Sequence, residues 1–117
     1  MAREYDKLVR DDIPAIIEAD GGRPITHVAG DEEYDRRLRA KLEEECAEFV
    51  DDPSPAELAD VLEVVDALRT HYGWSRTELE QRRRAKRGER GGFEGRVVLE
   101  TVQDDGGPER CEPSSDE

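Results

Sequence analysis

Helical periodicity running from Asp11 to about Gly91, interrupted only by Gly and Pro punctuation, is the feature that most narrows what this chain can become. Asp11-Asp12-Ile13-Pro14 supplies an acidic N-cap and a first-turn Pro, apolar Ile16 and Ile17 follow, and Gly21-Gly22 stops this short first helix. Gly30-Asp31 opens a second helix that runs to about Asp52, where Pro53-Ser54-Pro55 forces a turn. Ser54 is the N-cap of a third helix, with Pro55 at its first position and Tyr72-Gly73 at its end. Ser75-Arg76-Thr77-Glu78 is a capping box, and Trp74 with Leu79 has hydrophobic-staple spacing, so a fourth helix begins at Arg76 and stops at Gly91-Gly92. Residues 25–29 and 96–102 read as brief strands able to pair. The expected fold is all-α: an antiparallel bundle of about four helices, with room for a small two-stranded β element.

Composition sets the scale. With 117 residues, 42% charged and 34% apolar, the chain holds one domain, residues 1–102, around a thin core. The acidic tail 103–117, rich in Asp, Gly, Pro, Ser and Glu, has little to bury and is expected to be disordered. A formal charge of -13 repels phosphate backbones and argues against general nucleic-acid binding. No apolar run approaches the roughly 18 residues of a membrane span, and the N-terminal stretch lacks a signal-peptide core, so a cytoplasmic protein is expected. Fifteen Arg against three Lys, under so large an acidic excess, suggests a salt-rich cytoplasm in which ionic strength screens self-repulsion. Cys46 in a helical pattern and Cys111 in the tail argue for a reducing compartment rather than a disulfide. Cys46 itself is expected to be a packing residue.

The chemistry lies in acids that face the wrong way. On a helical wheel, Glu45 falls in the middle of the stripe formed by Tyr34, Leu38, Leu42 and Phe49, with Lys41 and Glu48 flanking it and Glu44 to one side. A carboxylate in an apolar interface is costly unless it is paired, protonated or bound to metal. On the third helix, Glu57 and Asp60 are three apart and share an edge with Val64, Ala67 and His71, while Leu58, Val61, Leu62, Val65 and Leu68 cover the opposite arc. A short turn would bring Glu45 and Glu48 toward Glu57 and Asp60, four oxygen ligands of the kind that suit Mg²⁺ or Mn²⁺.

Each residue also has a structural explanation. Glu57 occupies the capping-box position after Ser54, Glu44 and Glu48 fit a solvated face, and His71 fits a helix C-terminus. Arg82, Arg83, Arg84, Lys86, Arg87 and Arg90 fit dipole compensation, or else a phosphate-binding edge.

Lys7-Leu8-Val9-Arg10-Asp11, Ile13-Pro14, Glu44-Glu45-Cys46-Ala47-Glu48, Glu57-Leu58-Ala59-Asp60 and Glu89-Arg90-Gly91-Gly92-Phe93 resemble, in that order, the MazG-like all-α nucleotide pyrophosphohydrolases. The similarity is greatest to the small phosphoribosyl-ATP pyrophosphohydrolase-like, or house-cleaning, branch, and it covers roughly Tyr5 to Val102. Asp12 stands where family members often have Lys, and only eight residues separate Glu48 from Glu57, fewer than in many relatives. The resemblance implies Mg²⁺-dependent hydrolysis of a nucleoside triphosphate, standard or non-standard, between its α and β phosphates. It implies metal ligands at Glu45, Glu48, Glu57 and Asp60, and a homodimer or homotetramer. Glu44 or Glu48 is then the candidate base for the attacking water. Lys7, Arg10, Lys41, Lys86 and Arg90 are the candidates for holding substrate phosphates. Two alternatives stand beside it: phosphoribosyl-ATP hydrolysis in histidine synthesis, and a non-enzymatic helical interaction module.

Overall fold

A computed structural model describes residues 3–104 and contains four helices: α1 Ile13–Ala19, α2 Asp31–Asp51, α3 Pro55–Tyr72 and α4 Arg76–Arg90. The fold is all-α, and among the described residues there is no strand. The expected pairing of 25–29 with 96–102 is therefore corrected. Ile25, Val28 and Val97 are 96%, 97% and 88% exposed, so neither stretch meets a neighbour that could satisfy a ladder or bury a face. Branched composition suits a pleated surface but does not create its partner. The expectation of a disordered tail falls, from residue 105 onward, outside the described residues, as do Met1, Ala2 and Cys111.

Helix ends follow local chemistry. The Ser54 hydroxyl accepts the Glu57 amide at 3.1 Å, and the Ser75 hydroxyl accepts the Glu78 amide at 3.0 Å, each satisfying one of the orphan donors of a first turn. Asp12 flanks α1, but its side chain makes no capping bond. Gly73 ends α3 in the left-handed region, at φ 77°, which lets the Trp74 amide turn back to the Arg69 carbonyl at 3.0 Å.

Packing is concentrated in one antiparallel pair. Pro53 and its neighbours fold α3 back along α2, so that Asp35 meets His71 and Tyr72 at one end while Glu45 meets Glu57 and Asp60 nearer the turn. Leu38 and Val64 are the buried hydrocarbons of this pair, and Glu45 is buried with them. The start of α4 lies beside α3 across a groove of about 290 Å³ floored by Leu62, Val65 and Leu79. Asp66 on α3 spans it, 3.4 Å from Arg76 on α4.

Candidate metal centre

Glu45 reaches its position because it shares the face of α2 that carries Tyr34, Leu38, Leu42 and Phe49, the face turned toward α3. Only 7% of its surface is exposed. One carboxylate oxygen is 3.2 Å from the Lys41 ammonium; the other, Oε2, is buried with no hydrogen-bond partner. Across the helix pair, Glu57 Oε2 is likewise buried and unpartnered. Glu57 thus lends its amide to the Ser54 cap while its carboxylate faces the centre. Oxygens of Glu45, Glu57 and Asp60 all lie within 4.8 Å of one another, and a second group on α2 alone, Glu44, Glu45 and Glu48, meets the same limit. Two orphaned buried oxygens beside a third acid are what a hard, oxygen-seeking cation fits. All four residues expected to be metal ligands are in these two groups.

The electrostatics divide the acids. Burial pushes the Glu45 carboxyl above its ordinary range, against the pull of Lys41, and the nearby charges of Glu48 and Asp60 push the same way. Glu44 goes the other way: although burial opposes ionisation, hydrogen bonds from Lys7 and Lys41 hold it below the usual carboxylate range. Lys7 donates to Glu44 Oε1 at 2.9 Å and Lys41 to Oε2 at 3.2 Å. Glu48 is exposed.

Of the expected phosphate-holding cations, Lys7, Lys41 and Arg10 stand at this centre, Arg10 donating to Asp60 at 2.8 Å. Lys86 and Arg90 stand on the last turns of α4, beyond the stretch where Leu79, Glu80 and Arg83 line the groove against α3. The carboxylate groups draw nothing from that helix. Their basic neighbours Arg83 and Arg84 pair with Glu80, and Arg87 with Glu94. Cys46, expected to pack, is exposed, since one position past Glu45 is a 100° turn away from the interface. His71 belongs to the far end of the pair, 3.3 Å from Asp35 and edge-on to Tyr34, rather than to the acids.

Two features escaped the sequence. One is this far cluster, where the Tyr72 hydroxyl donates to Asp35 and the Tyr72 ring stacks on Trp74. The Tyr34, Asp35, His71 and Tyr72 positions were visible as helix-end polar and aromatic residues, but only an antiparallel register pairs them. The other is Arg37, which donates to the Asp6 carbonyl at 2.6 Å and to its carboxylate at 3.0 Å.

No family model matches the chain, and no solved structure matches it. A protein of Mycolicibacterium smegmatis, described as uncharacterized, is 50% identical over 43 residues, a stretch that covers 37% of this chain and 44% of that protein.

Proposed function

We propose that this chain is a cytoplasmic, Mg²⁺-dependent nucleoside triphosphate pyrophosphohydrolase that hydrolyses its substrate between the α and β phosphates. The observation that carries this reading is the pair of buried, unpartnered oxygens on Glu45 and Glu57 beside Asp60. The motif resemblance supplies the reaction. Glu45, Glu57 and Asp60 would hold the cation, with Glu48 completing the acid set. A divalent ion there supplies polarisation of phosphoryl oxygens and a lower pKa for water.

The chain's own residues do the rest. Glu48 accepts the proton as water attacks the α phosphorus and the bond to the bridging oxygen breaks, giving a monophosphate and pyrophosphate. Glu44 is the poorer acceptor, because two ammonium groups keep it ionised. Lys7 and Arg10 hold phosphate oxygens, and Lys41 keeps Glu44 and Glu45 oriented. Lys86 and Arg90 are the further phosphate contacts of this proposal.

The exposed Leu58 and Leu62, 47% and 64% accessible on one stripe of α3, support assembly with a second copy as dimer or tetramer. A nucleotide panel with pyrophosphate detection, with and without Mg²⁺, tests the reading. Pyrophosphate is expected only with the metal. Its absence for every nucleotide, phosphoribosyl-ATP included, would leave an interaction module as the better account.

A further inference from the structure

Lys7 and Arg10 belong to the short segment ahead of α1, yet each is bonded to an acid of the metal centre, and the two acids are on different helices. Lys7 meets Glu44 of α2 at 2.9 Å, and Arg10 meets Asp60 of α3 at 2.8 Å. The segment has a separate anchor. Arg37 grips Asp6 through both its backbone carbonyl and its carboxylate, touching none of the proposed ligands, and Asp6 holds a left-handed turn at φ 43°. Leu8, half-buried, lines a small pocket with Ala40, Lys41 and Glu44 of α2, and Val9 beside it is half-buried as well. Residues 6–10 therefore form a strap with a fixed end at Asp6 and two ionic latches, one to each wall of the centre.

An oxygen of Asp60 that accepts a guanidinium at bonding distance cannot at once ligate a cation without setting two positive charges side by side. The exposed Glu63 carboxylate, 3.9 Å from the other guanidinium nitrogen, is a neighbour that Arg10 keeps if Asp60 is taken. We propose that residues 6–10 are a strap latched over the carboxylates by Lys7 and Arg10, that a divalent cation held by Glu45, Glu57 and Asp60 competes with Arg10 for Asp60 and by its charge loosens Lys7 from Glu44, and that its arrival frees both side chains for substrate phosphate. The order of binding follows: cation first, triphosphate second. This inference rests on the metal reading above.

The test uses the full chain without nucleotide. Mg²⁺ is titrated calorimetrically into wild type and into the Lys7→Gln/Arg10→Gln double variant, and the backbone mobility of residues 6–10 is followed by nuclear magnetic resonance relaxation with and without Mg²⁺. Two exposed ion pairs together are worth roughly two- to thirtyfold in an equilibrium, so the double variant should bind Mg²⁺ more tightly by that factor. Residues 6–10 of wild type should become more mobile when Mg²⁺ is added. Equal or weaker binding by the variant overturns the proposal, as does unchanged or reduced mobility, and either would leave the metal centre standing. No Mg²⁺ binding by wild type or variant overturns the metal reading and the strap together.

Discussion

Glu45 occupies a position where hydrocarbon would pack, and the free energy that this costs is what the proposed cation would recover. Mg²⁺ at a hundred times its dissociation constant should stabilise wild type by about 2.7 kcal/mol, seen as a rise in melting temperature. Glu45→Gln and Asp60→Asn should melt at the same temperature with and without the ion. An equal rise in all three would move the site elsewhere. These acids were legible in the sequence because a helical wheel reports which face a residue occupies: Glu45 falls in the stripe of Tyr34, Leu38, Leu42 and Phe49, and Asp60 shares an edge with Val64 and Ala67 as well as with Glu57 and His71. The cations that answer them were not. Lys7 and Glu44 are 37 positions apart, and Arg10 and Asp60 are 50 apart, and no local period encodes a contact between a helix and an irregular segment.

Among the elements, α2, α3 and α4 begin and end where their caps and breakers put them, because Ser, Pro and Gly act on the backbone within one turn. The strands failed for the complementary reason: a strand is completed only by a distant neighbour, and the charged, sparsely apolar chain offers none to 25–29 or 96–102. The attachment of α4 is a polar affair. Asp66 accepts from Arg69 at 3.1 Å and faces Arg76, and hydrogen bonding to Arg69 first, then the charge of Arg76, holds its carboxyl below the usual range. A depressed carboxylate stabilises the folded form above its unfolded pKa, and that contribution is lost as pH falls through the lower folded value. Acidification should therefore loosen α4 at its root. Trp74, whose carbonyl accepts Arg69 at 2.8 Å, should report the change by fluorescence, and Asp66→Asn should flatten that acid limb. A variant that titrates like wild type would place the linkage on other acids.

Taken whole, the molecule has a thin core. Among the described residues the buried hydrocarbons are two, Leu38 and Val64, few to hold four helices. The proposed assembly predicts a dimer or larger species by light scattering at high salt, and Leu62→Asp should shift it toward monomer. A monomeric wild type with full pyrophosphohydrolase activity would contradict it. Another consequence concerns chemical labelling. Lys7, Lys41 and Lys86 are the chain's only lysines, and the first two converge on a single carboxylate, Glu44. In most proteins amine-directed acylation scatters over dozens of surface sites; here two of three side-chain targets flank one acid. The extent of acylation at Lys7 relative to Lys86 thus becomes a reagent-level readout of whether that corner is closed, and an amine-reactive probe becomes, by the scarcity of lysine alone, close to a site-directed one.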